Sequence, residues 1–143
     1  NKLMSYPTSF SVYKKSAAAQ FNLILPRRNE KGRVEKEGAV LIEVTKASGE
    51  KQYDWSKKIV FAFGMNDLCQ FFDNPENPPR LIHKLDEITK SLEFKQGEGQ
   101  YAGTYMLSLA DGTSKISVPL SGGEFAVVSR LFSCAIPKII GWE

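Results

Sequence analysis

Histidine and cysteine are scarce in this 143-residue chain, which holds one His and two Cys. A zinc centre built from several such ligands is therefore excluded, and so is a disulfide framework. Cys69 and Cys134 stand far apart, each in an apolar pattern of helical spacing, and are expected as reduced thiols in the core. Cys69 and His83 lack an orienting third group, so no nucleophile and base are read from them, and His83 is expected to be structural. Long apolar runs are missing too: no stretch approaches the roughly 20 residues of a bilayer span, and no membrane partner is expected. There is no Gly-Lys-Ser phosphate loop and no dinucleotide fingerprint, and the Gly97 and Gly99 pair falls in a hairpin turn. Asp86 and Glu87 are adjacent and on a strand would point to opposite faces, which disqualifies them as a carboxylate pair. The expectation is a protein that is not an enzyme, with no metal and no cofactor.

What is present is enough apolar material for one domain, 42% of the residues, and residues 1–143 read as a single unit. Charge is distributed unevenly. Residues 1–72 carry 12 Lys and Arg against 7 Asp and Glu, whereas residues 73–143 carry 7 against 9. A net +5 on one half and −2 on the other points to a polyanion-binding surface in the first half.

Periodicity supplies the elements. SFSVYKK (9–15) and AQFNLIL (19–25) alternate as strands, the first bounded by Pro7 and the second by Pro26. RVEKEGAVLIEV (33–44) places Val34, Gly38, Val40, Ile42 and Val44 on one face of a single half-solvated strand. KASGEK (46–51) reads as a turn into QYDWSKKIVFAF (52–63), a strand with Tyr53, Trp55, Ile59, Phe61 and Phe63 in one phase. MNDLCQFF then takes helical spacing, with Asn66 as its cap. The proline-rich DNPENPPR (73–80) separates two halves, 9–72 and 81–142. LIHKL, ITKSLEF, YAGTYMLSL and SKISVPL give four more strands, with Asp111-Gly112 as a tight hairpin turn. The closing GGEFAVVSRLFSCAIPKIIGW is apolar on nearly every side of a helix, so part of its cover is expected from another protomer; Pro137 should kink or end it near Cys134. Sheet, helix, sheet, helix defines an α+β fold made of two similar halves.

The cations sort by strand phase. Tyr13 and Lys15 face outward from the first strand, and Lys58 faces outward where Lys57 does not. Arg27, Arg28, Lys31 and Arg33 cluster in the loop after the second strand, where several can reach one phosphate backbone. With Lys14 these residues form the candidate polyanion surface, and Tyr13 is its best stacking ring. Trp55, Phe61, Phe63, Phe71 and Phe72 are expected in the core.

Four segments in order carry a family resemblance: YKKSAAA (13–19), EKEGAVLIEV with KQYDWSKKIVFAF (within 35–63), and EFAVVSRLFSCAIPKIIGW (124–142). They resemble the Whirly family, which carries a Lys-Gly-Lys-Ala-Ala-Leu motif, a Gln-Tyr-Asp-Trp-Ser strand and a closing Ile-Gly-Trp. The resemblance implies the Whirly fold: two four-stranded antiparallel sheets, each followed by a helix, an internal duplication, and four protomers assembled around central helices. Lys14, Ala17 and Ala18 match the first motif, whereas Lys15 stands for its Gly, Ser16 for its second Lys and Ala19 for its Leu. On that departure the chain is most similar to the kinetoplastid mitochondrial guide-RNA-binding proteins. That branch implies RNA editing in the mitochondrial matrix, with guide RNA held by its backbone and annealed to pre-mRNA, and a related subunit in a heterotetramer. Two alternatives stand beside it: a Whirly-type organellar single-stranded DNA binder, and a mainly structural subunit whose partner binds the RNA.

Overall fold

The computed structural model describes residues 8–142, so Pro7 and the two ends of the 1–143 unit lie outside the described residues. Strands β1 (Ser9–Tyr13) and β2 (Ala17–Ile24) form a hairpin whose register sets Tyr13 opposite Ala18. A small separate hairpin follows, β3 (Arg27–Arg28) with β4 (Val34–Lys36). Strand β5 (Ala39–Gly49) then runs antiparallel to β2, and its other edge carries first β6 (Gln52–Tyr53) and then β7 (Ile59–Phe63). Alternation sends Val12, Ala19, Phe21, Ile42, Val44, Phe61 and Phe63 inward. Helix α1 (Met65–Asp73) closes this half.

The second half is a plain meander. Strands β8 (Leu81–Leu85), β9 (Ile88–Gln96), β10 (Tyr105–Asp111) and β11 (Lys115–Leu120) lie in the order β11-β10-β9-β8, and helix α2 (Gly122–Ile139) follows. The architecture is α+β with antiparallel sheets and two helices. The halves repeat a plan rather than a structure, because the first adds the β3–β4 hairpin and breaks its last strand in two.

One core joins the two sheets and both helices. Phe132 of α2 stacks on Phe63 at 4.5 Å and meets Phe71 of α1 edge-on at 5.0 Å. Tyr105 stacks on Phe125 at 3.6 Å. His83 lies over Phe61 at 4.0 Å, with its Nε2 2.9 Å from the Asp67 carboxylate. Asp67 also accepts the Gly64 N–H at 2.9 Å, so the single histidine pins β8 to the start of α1.

Several expectations need correction. Residues 33–44 are not one strand: the chain breaks at Gly38, whose N–H donates to the Ile139 carbonyl at 2.9 Å rather than to a sheet neighbour. A Cβ there would stand 2.1 Å from the Ile24 carbonyl oxygen, so only glycine fits this crossing. Trp55 is half-buried rather than core, since residues Trp55–Lys57 form a 3-10 turn between β6 and β7. The turn is set by Asp54, which accepts from the Ser56 N–H at 3.1 Å. Asn66 is not the cap of α1; Gly64 is, served by Asp67. Tyr101 sits in a second 3-10 turn, Gly99–Tyr101, and not in a strand. Cys69 and Cys134 are both exposed. Their helices bury Leu68 and Phe71, and Phe132 and Ala135, and that phase turns both thiols outward. Pro137 does not stop α2 near Cys134: the helix runs on through it to Ile139, giving up the one main-chain hydrogen bond that a proline N cannot donate.

No helix among the described residues is long and apolar enough to cross a membrane. Helix α2 nevertheless leaves Val127 and Leu131 41% exposed, and they line an apolar groove with Phe10, Leu23 and Cys134.

Candidate nucleic-acid interface

Register decides which cations meet. Ala17 of β2 stands opposite Lys46 of β5, and Val44 stands opposite Ile59 of β7. The β1–β2 turn, the β5–β6 hairpin and the start of β7 therefore lie at one end of the first sheet. The β3–β4 hairpin extends from the other end, beyond the Ile24 and Ala39 pair. Eight residues of β2 separate these ends by roughly 25 Å.

The eight candidate residues consequently fall into two groups. Tyr13, Lys14, Lys15 and Lys58 share the first end. Arg27, Arg28, Lys31 and Arg33 share the second, and their segment is the β3–β4 hairpin rather than an open loop. Two of those four serve the fold. Arg28 donates to the Gly32 carbonyl at 2.7 Å and to the Gly141 carbonyl at 2.9 Å, tying the hairpin to the residues after α2. Arg27 stands 3.8 Å from the Glu35 carboxylate. Lys31 and Arg33 contribute through the backbone, with both N–H groups accepted by Asn29 Oδ1 and the Arg33 carbonyl accepting the Asn29 N–H at 2.9 Å, and their side chains are exposed.

Lys58 does point to the outward face, but it forms an ion pair there with Glu43. Glu43 is buried at 7% exposure and also accepts from Asn22 Nδ2 at 3.2 Å. The outward face thus carries a neutralised polar network of Asn22, Glu43 and Lys58, and the cations unpaired among the described residues lie toward the two ends of the sheet.

At the first end an open hollow of about 1060 Å³ is lined by Tyr13, Lys14, Lys15, Glu50, Lys51 and Tyr53. The rings of Tyr13 and Tyr53 lie 5.4 Å apart at 47°. Tyr13 is 57% exposed, whereas the Tyr53 hydroxyl donates to the Lys14 carbonyl and holds the β1–β2 turn against the β5–β6 hairpin. Lys14 reaches the other way, 2.8 Å from Glu124 in the first turn of α2. Burial pushes the Glu124 carboxyl upward, but hydrogen bonds from Lys14 and the Ser121 N–H outweigh it and leave the group below its ordinary 4.5. Lys15 and Lys51 make no ion pair among the described residues.

Lys46, Lys51 and Tyr53 escaped the sequence reading. Tyr53 shares its alternation with Ile59 and was placed in the core phase, and the two lysines looked like ordinary turn residues. Only the fold places Lys51 and Tyr53 beside Tyr13 and Lys46 opposite Ala17 at the same end of the sheet. Among the described residues no cluster of His, Cys, Asp and Glu is arranged to hold a metal.

A family model described as "Whirly transcription factor" matches residues 12–131. The chain is 31% identical over 152 residues to the chloroplastic single-stranded DNA-binding protein WHY1 of Zea mays, covering 95% of this chain and 57% of that protein. It is 30% identical over 158 residues to the mitochondrial single-stranded DNA-binding protein WHY2 of Arabidopsis thaliana, covering 94% and 63%. The chain therefore spans about three-fifths of the length of these relatives. In fold it matches the crystal structure of WHY1 from Arabidopsis thaliana, with a TM-score of 0.82, 23% identity, and coverage of 99% of this chain and 89% of that one.

These matches overturn the guide-RNA reading. The relatives are single-stranded DNA-binding proteins, and with the guide-RNA branch go guide RNA and pre-mRNA as partners, RNA annealing, and the related-subunit heterotetramer. The departures at Lys15, Ser16 and Ala19 do not take the chain out of the family. Lys15 and Ser16 sit in the short β1–β2 turn and Ala19 is buried within β2, and the turn still lines the hollow with Tyr13 and Lys15.

Proposed function

The chain belongs to the Whirly family, and from that premise we propose that it binds single-stranded DNA at the basic end of its first sheet. The observation that carries this reading is the exposed Tyr13 ring, backed by Tyr53 and rimmed by Lys15 and Lys51, whereas Lys14 is held by Glu124. An aromatic face accepts any unpaired base, and lysines beside it neutralise the phosphates on either side. A base inside a duplex has no free face, so the arrangement favours single strands. Lysines act as point charges and read no base edge, which makes the binding tolerant of sequence.

The relatives' names support residence in an organelle, whether plastid or mitochondrion. The uncovered stripe of α2, Val127 and Leu131 above the apolar groove, supports burial against further copies of this chain. The Whirly fold, α+β, is the frame for both surfaces, and the repeated plan of its halves fits an internal duplication.

Fluorescence anisotropy with a labelled oligothymidine tests the binding reading. Salt should weaken binding with a log–log slope of about −0.7 for each phosphate neutralised. Equal affinity for a duplex of matched length would count against it.

A further inference from the structure

The β5–β6 hairpin has a second side. Opposite the tyrosine hollow, a cleft of about 550 Å³ opens between the two sheets. Lys46 of β5 and Lys57 of the 3-10 turn come from the first half, and Lys115 comes from the start of β11 in the second. None of the three forms an ion pair among the described residues. Lys58 also lines the cleft but is held by Glu43.

The scaffold around these lysines is fixed by hydrogen bonds. Thr45 Oγ1 donates to the Asp54 carbonyl at 2.6 Å, and the Asp54 carboxylate caps the turn through Ser56. The hydrogen bonds from Ser56 hold the Asp54 carboxyl below its usual range, so this acid stays ionised and committed to the turn. Ser114 accepts the Asp111 N–H at 3.1 Å and closes the β10–β11 turn on the other wall. Lys46, Lys57 and Lys115 come from separate elements and outnumber the two carboxylates that line the same cleft, Asp54 and Asp111, which leaves it a net positive charge that an entering anion offsets. No aromatic ring lines the cleft, which excludes base stacking and separates its chemistry from that of the tyrosine hollow.

We propose that this cleft is a phosphoryl-binding site, bridging the two halves through Lys46, Lys57 and Lys115. It depends on the single-stranded DNA reading only for one source of the phosphoryl group, the backbone of a bound strand passing over the hairpin. The other source is a free phosphate compound.

The test is an amide chemical-shift titration of the whole chain with inorganic pyrophosphate, and separately with oligothymidine. Pyrophosphate should move the Ser48, Lys57 and Ser114 amides saturably and leave those near Tyr13 in place. The double change Lys46→Gln with Lys115→Gln should weaken that binding about ten-fold or more, and Asp111→Asn should strengthen it. Oligothymidine that moves the same amides identifies the strand backbone as the source; pyrophosphate alone moving them identifies a free phosphate compound. Absence of saturable shifts with pyrophosphate, or undiminished binding in the double variant, overturns the site. Should oligothymidine fail to bind anywhere, the DNA reading falls, while the pyrophosphate titration still decides the cleft.

Discussion

Tyr13 and Tyr53 are neighbours with different duties. Tyr13 offers an exposed ring, whereas Tyr53 spends its hydroxyl on the Lys14 carbonyl and steadies the turn beneath. Replacing Tyr13 by Ala should cost about 1–3 kcal/mol of binding to oligothymidine, read as a higher Kd, with the melting temperature nearly unchanged. Tyr13→Phe keeps the ring and should bind as the parent does. Tyr53→Phe should act through the fold instead, lowering stability by about 1 kcal/mol in a denaturant titration. The exposure of Tyr13 was legible because alternation from Phe10 and Val12 sends it outward. Tyr53 was not, because the 3-10 turn at Trp55–Lys57 breaks the phase that linked it to Ile59, and Asp54 and Ser56 make that turn by a side-chain bond no periodicity reveals.

Among the elements, two junctions hold the molecule's shape: the Gly38 crossing and the start of α2. Gly38→Ala would force a methyl group against the Ile24 carbonyl and should destabilise by about 1–3 kcal/mol, seen as a lower Tm. At α2, Ser121 and Glu124 exchange hydrogen bonds across the first turn, 3.0 Å and 2.8 Å, while Lys14 joins from the β1–β2 turn. The Glu124 carboxyl is lowered in the fold, so its stabilisation is present above 4.5 and lost as pH falls through the folded value beneath. Glu124→Gln should therefore cost stability at neutral pH and flatten the acid limb of a stability–pH curve below 4.5, measured by denaturant titration. Strand and helix order was legible from alternation and from prolines 75, 78 and 79, since inward phases such as Leu107, Leu109, Ile116 and Val118 are uninterrupted. Breaks that depend on distant backbone, such as Gly38 against Ile24 and Ile139, leave no local trace.

Across the whole molecule, charge and apolar surface are separated: lysines gather at one end of the first sheet, and α2 carries the uncovered stripe. The stripe predicts a species heavier than the 16.0 kDa chain in native mass measurement, reduced to single chains by Leu131→Lys. Charge asymmetry between the halves was legible in composition, but its division between two ends some 25 Å apart came only from the register of β2 on β5. The same register moved the candidate site from the sheet's face, where Glu43 neutralises Lys58, to the hollow at its end. The most direct measurement of the central claim is oligothymidine affinity across a salt series for the parent and for the Lys15→Gln with Lys51→Gln variant. The parent should bind the single strand well above its matched duplex, and the variant should show a slope shallower by about 1.4 for the two phosphate contacts removed. An unchanged slope and affinity in the variant, or duplex bound as tightly as single strand, would contradict it.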